Sequence, residues 1–97
     1  MTRPLRLNDE AVAELEAAVA WLETHSGSAR NFVGRVEKVL GQIALRPEMH
    51  RVVLDDIRRA IVPKTRYSIF YRVHRDWIEV VSIFHGSRNP TGWQRRG

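Results

Sequence analysis

The chain is 97 residues long, 43% hydrophobic and 28% charged, a globular balance with enough apolar residues for one core and too little chain for a second. It contains no cysteine, which excludes a disulfide framework, thiolate chemistry and cysteine-based zinc sites. The net charge of +5 is unevenly placed: residues 1–49 carry 6 Lys/Arg against 7 Asp/Glu, and residues 50–97 carry 10 against 4. A basic half of this kind attracts nucleic acid or an acidic protein, and charge alone does not choose between them. No apolar run approaches the length that spans a bilayer, and Met1-Thr2-Arg3-Pro4 does not lead into a signal-peptide core. A single domain over residues 1–97, soluble and cytoplasmic, is expected.

After the short segment Pro4 to Leu7, Asn8 is placed to cap a helix, with Asp9 and Glu10 putting negative charge at its positive end. Val12, Leu15, Val19 and Leu22 recur at helical spacing beside the small Ala11 and Ala18, while Glu14, Glu16 and Glu23 face elsewhere, as a solvated face would. His25-Ser26-Gly27 ends this helix. Ser28 then caps a second one carrying Phe32, Val36, Val39, Leu40 and Ile43, which Arg46-Pro47 stops. Helices joined this tightly run antiparallel.

From His50 onward the period becomes alternating, and β-branched and aromatic residues accumulate. Arg51 to Leu54 and Ile57 to Val62 read as one bent strand or two short ones, Arg66 to Val73 as the next, and Trp77 to Phe84 as the last. His74-Arg75-Asp76 closes an antiparallel hairpin between the final two. Tyr67, Ile69, Tyr71 and Val73 share one face, which receives the helices; Arg66, Ser68, Phe70 and Arg72 share the other. The last strand is apolar on both faces, Val80 with Phe84 and Val81 with Ile83, as suits a central strand.

The histidines, His25, His50, His74 and His85, show no metal-ligand spacing, and neither a phosphate-binding glycine loop nor a Gly-x-Ser-x-Gly motif is present. No metal and no cofactor are expected. The informative set is basic: Arg58, Arg59, Lys64, Arg66, Arg72 and Arg75, then His85, Arg88, Arg95 and Arg96. No acid lies between Ile57 and Arg75. Such cations either border the sheet and keep it soluble or form a surface for phosphate or for an acidic partner. RNA cleavage would need a base for the ribose hydroxyl, an acid for the leaving oxygen and cations for the phosphorane; His85 and Arg88 could supply part of that. The helical hairpin is also too small to cover its own outer grooves as well as the sheet, which leaves Val12, Val19, Val33 and Leu40 as candidates for an apolar docking groove.

Taken together, Arg58-Arg59-Ala60-Ile61-Val62-Pro63, then Tyr67 to Val73, then Ile83-Phe84-His85-Gly86-Ser87-Arg88-Asn89-Pro90 and Trp93 resemble the RelE/ParE toxin family. The opening Leu5-Arg6-Leu7-Asn8-Asp9-Glu10-Ala11 is similar to that family's first strand entering a capped helix. The resemblance covers nearly the whole chain. It implies an α+β fold in which an N-terminal strand precedes an antiparallel two-helix hairpin packed on an antiparallel β-sheet.

The resemblance also implies a toxin of a type II toxin-antitoxin, or plasmid stabilisation, system, held in check by a cognate antitoxin that is acidic and folds on binding. Members share this fold but not a target. RelE-like members cut messenger RNA on the ribosome with basic sheet residues and a C-terminal tyrosine or histidine, whereas ParE-like members inhibit DNA gyrase and lack that set. Here Ser68 stands where the ribonuclease pattern has an arginine. Arg59 matches one basic position with Ile61 at the second, and Trp93-Gln94 stand where a catalytic tyrosine is expected, although Arg88 does match. The ParE-like reading is favoured, with Arg58, Arg59, Arg72, His85, Arg88, Trp93, Arg95 and Arg96 as target-binding candidates. The alternative is a ribosome-dependent endoribonuclease using Arg59, Arg66, His85 and Arg88.

Overall fold

A computed structural model describes residues 3–86. Strand β1 (Leu5–Leu7) leads into helix α1 (Asp9–His25), followed by α2 (Ala29–Leu45) and strands β2 (Val52–Leu54), β3 (Ile57–Ile61), β4 (Tyr67–Val73) and β5 (Ile78–His85). The Asn8 side chain caps α1 by accepting from the Ala11 N–H at 2.9 Å. At the other end the Ser26 and Gly27 N–H groups both donate to the Leu22 carbonyl, and Gly27 takes φ +68, the left-handed turn that ends helices at glycine. Ser28 occupies the N-cap position of α2 as expected, but its hydroxyl is bonded to Ser26 Oγ at 2.7 Å and caps nothing.

The strands form one sheet in the order β1-β5-β4-β3-β2. β2 to β5 pair antiparallel in sequence, while β1 pairs parallel with β5, so the sheet is mixed by one pair. A parallel pair needs a long connection, and here it runs through both helices and strands β2 to β4. β5 is thus an interior strand, flanked by β1 and β4, as its two apolar faces require.

Both helices lie on one face of the sheet. Phe32, Val36, Val39 and Ile43 of α2 pack with Tyr67, Ile69, Tyr71, Val80 and Ile83, and α1 contributes Ala11 and Ala18. The expected α1 stripe is thus shifted: its alanines are the buried contacts, Leu15, Val19 and Leu22 are partly buried, and Val12 is 40% exposed. Small side chains at the contact let the α1 backbone come close to β5, which leaves the larger valine outside.

The faces of β5 differ from simple alternation. Phe70 pairs with Ser82 but Tyr71 pairs with Val80, so Val81 is an extra residue, a β-bulge. The bulge resets the parity: Val80 and Ile83 both join the helix-side core, while Val81 and Phe84 join Ile57 and Phe70 in a second cluster on the outer face. The expected pairings of Val80 with Phe84 and of Val81 with Ile83 are corrected accordingly.

Past Val80, β5 has no β1 partner. There Glu14 reaches from α1, and its Oε1 accepts from the Ile83 N–H at 3.1 Å and from the Ser82 hydroxyl at 3.0 Å. Glu14 is therefore not part of a solvated face; it closes a sheet edge. Replacing it with alanine deprives the Ile83 amide of its acceptor and should lower stability by about 1–3 kcal/mol. Glu16→Ala, at an exposed position of the same helix, should change stability by no more than about 0.5 kcal/mol. Urea titrations of the two variants check the difference.

Candidate functional site

The basic residues of the second half divide into those with partners and those without. Arg58 points to the helix side, opposite Tyr71, and its guanidinium donates to the carbonyls of Glu48 at 3.1 Å and His50 at 2.6 Å. It thereby holds the turn from α2 to β2. The Tyr71 hydroxyl donates to the Pro47 carbonyl at 2.6 Å in the same turn, and burial pushes this phenol up to about 12. Arg72 is paired on the outer face with Asp56 at 2.9 Å and Glu79 at 3.7 Å. Its hydrogen bond holds the exposed Asp56 carboxyl below the usual range. Glu79 also meets His74 at 2.9 Å.

Arg59 lies on the outer face beside Phe70 and donates from Nε to Ser68 Oγ at 3.0 Å. Ser68, the residue found where a ribonuclease arginine was expected, is buried and serves as that acceptor. Ile61 on the same face is 60% exposed. Arg66 and His85 lie elsewhere, in a recess of about 330 Å³ between the tip of the helical hairpin and the β3–β4 turn, which Arg35 and Lys64 also line. His85 meets the Tyr67 ring edge-on at 5.0 Å. The candidate set of Arg59, Arg66 and His85 is therefore split: two members share a recess and the third is across the sheet. Arg88, Trp93, Arg95 and Arg96 lie outside the described residues. Among the described residues no group of three or more His, Asp or Glu side chains is arranged to hold a metal, and no helix is long and apolar enough to cross a membrane.

A second surface runs along the outside of the hairpin. Val19 and Val33 line a groove of about 450 Å³ together with Ala29 and Gly34, flanked by Glu23, Arg30 and Glu37. Val12 and Leu40 lie seven residues before Val19 and after Val33, two helical turns away on the same faces. Val12 is exposed and Leu40 is partly buried against the core. Sequence reasoning did not single out Gly34 and Gly41, which are also seven residues apart. A Cβ built at either would meet no atom within 4 Å, so no contact inside the described fold requires glycine there. Arg35 was missed because a lone arginine on an amphipathic helix carries no signal until the β3–β4 turn comes up beside it.

The sequence matches the family model described as ParE toxin of type II toxin-antitoxin system, parDE, over residues 5–90. The chain belongs to this family of toxins. Among solved structures it is similar to one described as the chromosomal ParDE TA system from P. aeruginosa, at 16% identity and a TM-score of 0.77, covering 87% of this chain and 96% of that one. At that identity the likeness concerns the fold. No curated protein matches the sequence.

Behind the Arg58 clamp, His50 sits edge-on to Tyr71 at 6.1 Å, and its Nε2 is buried with no hydrogen-bond partner among the described residues. Burial first, and the Arg58 charge second, hold its pKa below the ordinary 6.5. In the folded state it stays neutral where the unfolded chain takes up a proton. The stability it contributes is complete above pH 6.5 and is lost as the pH falls below that value. His50→Phe keeps the ring against Tyr71 and should flatten this acid-side loss. Comparing denaturation midpoints of parent and variant at about pH 7.5 and about pH 5.5 measures it.

Proposed function

We propose that this ParE-family toxin acts in the bacterial cytoplasm by binding DNA gyrase and that a cognate acidic antitoxin neutralises it. The observation that carries a binding mode of action is the split of the basic set. Cleavage of a phosphodiester needs base, acid and cations within hydrogen-bond reach of one phosphate, whereas Arg59 is bonded to Ser68 on the outer face and Arg66 and His85 line the recess at the hairpin tip. A surface that binds needs no such convergence. Of the target-facing candidates, Arg58 is turned to the helix side and holds the α2–β2 turn, and Arg72 is ion-paired on the outer face; Arg59 and His85 are kept, with Arg88, Trp93, Arg95 and Arg96 in the C-terminal region.

Inducing the toxin and following chromosomal breaks and transcripts side by side tests the target. Gyrase-dependent breaks with intact transcripts are expected. Transcript cleavage without breaks would replace this reading with a ribosome-dependent endoribonuclease.

For the antitoxin, the occupied surface is the hairpin groove of Val12, Val19, Val33 and Leu40, entered by a segment that is disordered alone and folds on contact. Gly34 and Gly41 support this. Glycine inside a helix is less favourable than alanine by about 1 kcal/mol, and open space beside both gives the fold no return for it. A partner backbone lying close against α2 gives a reason. Gly34→Ala and Gly41→Ala should each raise the stability of the free toxin by about 0.5–1 kcal/mol and speed dissociation of the antitoxin. Thermal unfolding of the free chain, set beside dissociation rates of the complex, reads both effects; variants more stable and equally well bound would remove the glycines from the interface.

A further inference from the structure

The recess at the hairpin tip goes beyond the toxin reading and does not depend on which target that reading names. Its three full cations come from three separate places: Arg35 from α2, Lys64 from the β3–β4 turn and Arg66 from the entry to β4. No Asp or Glu lines the cavity. Arg35, Lys64 and Arg66 have no carboxylate within ion-pair distance among the described residues, as holds also for Arg51 and Arg75, but only these three line one recess. Ser28 and Asn31 bring the start of α2 to the wall, where no side chain caps the first turn and no acidic residue offsets its dipole. Three like charges gathered without a counter-ion repel one another, and an anion between them relieves that repulsion.

The turn adds an independent observation. Val62, Pro63, Lys64 and Thr65 form a turn in which the Thr65 N–H donates to the Val62 carbonyl at 3.3 Å, and Lys64, its third residue, has φ +62. This is the position that favours glycine after a proline. A lysine there is held in a strained backbone conformation, of the kind that persists at binding sites. Lys64 in this conformation lines the recess.

The remaining walls are largely aromatic, with Thr65 and His85 among them. Phe32 and Tyr67 pack ring against ring at 4.9 Å, and Trp21, stacked on His25 at 4.3 Å, is 44% exposed. The volume of about 330 Å³ falls at the small end of ligand pockets, about 300–1,000 Å³. An acidic side chain offers a single negative charge on two oxygens and no ring to stack. A nucleoside monophosphate offers a dianion for the cations and the helix start together with a base for the aromatic wall. We propose that the recess is a binding site for a nucleoside monophosphate group, free or at the 5′ end of a strand, with the phosphate among Arg35, Lys64, Arg66 and the start of α2 and the base against Trp21.

Calorimetric titration of the full chain at constant ionic strength tests this with AMP, inorganic phosphate, a 5′-phosphorylated tetranucleotide, its unphosphorylated twin and a hexaglutamate peptide. AMP should bind more tightly than inorganic phosphate, and hexaglutamate should not compete. Equal affinity for AMP and the phosphorylated tetranucleotide assigns the site to the free nucleotide; a tighter phosphorylated strand, with its twin weaker, assigns it to a strand end. Lys64→Gly gives the turn its favoured residue, so the variant should be as stable as the parent or more so, yet bind AMP about tenfold more weakly. Arg35→Gln should weaken binding similarly, and Arg75→Gln, at the opposite end of β4, should leave it unchanged. Failure of AMP to bind, affinity retained in Lys64→Gly and Arg35→Gln, or hexaglutamate binding as tightly as AMP would overturn the proposal, the last in favour of an acidic protein segment.

Discussion

The extra residue at Val81 lets one interior strand meet two different demands, and much of the molecule depends on it. Upstream of the bulge, β5 pairs with β1 and turns Ile78 and Val80 toward the helices. Downstream, β1 has ended, and without a change of parity Ile83 would face away from the hairpin. The bulge returns Ile83 to the helix-side core beside Ile69 and sends Val81 and Phe84 to the outer cluster with Phe70. It also leaves the Ile83 amide at an edge with no strand beside it. Glu14 occupies that edge, so a carboxylate on the first helix is tied to a backbone irregularity far along the chain. An exposed strand edge invites pairing with other chains, and a carboxylate bonded into it opposes that.

Charge is organised by the same fold. The excess of Lys and Arg in the second half suggests a uniformly basic surface, but several of these residues are engaged. Arg58 holds the α2–β2 turn, Arg72 is shared between Asp56 and Glu79, and Arg59 is fixed to Ser68. Of those without an acidic partner, Lys64 and Arg66 share the recess at the hairpin tip with Arg35 of α2, whereas Arg51 and Arg75 stand apart from it. Three cations around one recess with no acid in its lining give a local positive field of the kind that attracts anions.

The helical hairpin has two roles that pull its sequence in different directions. Its inner side must bury Phe32, Val36, Val39 and Ile43, and it does so with large residues at helical spacing. Its outer side keeps Val19 and Val33 in a groove and puts Gly34 and Gly41 where helix stability favours alanine. A toxin that must be held by one partner and released to act on another gains from such a surface. On the proposed reading, the free protein gives up some stability for close approach of the antitoxin in the complex.

The sequence by itself determined the elements and most of their faces, because periodicity is a local property. The Asn8 cap, the Gly27 turn, the Phe32-Val36-Val39-Ile43 stripe and the Tyr67-Ile69-Tyr71 face each follow from side chains a few residues apart. The run from Arg58 through the last strand was enough to point to the toxin family. Tertiary structure alone decided the bulge at Val81, since an extra residue in a strand has no side-chain signature until the partner strand sets the register. It decided that Ala11 and Ala18, not Val12, meet the sheet, because which side of an amphipathic helix is closest depends on what it packs against. It also decided which cations are neutralised. Arg72 finds Asp56 across a hairpin, whereas Arg35 comes to line the same recess as Lys64 with no acid in its lining, and such placements depend on distances in space that spacing along the chain does not encode.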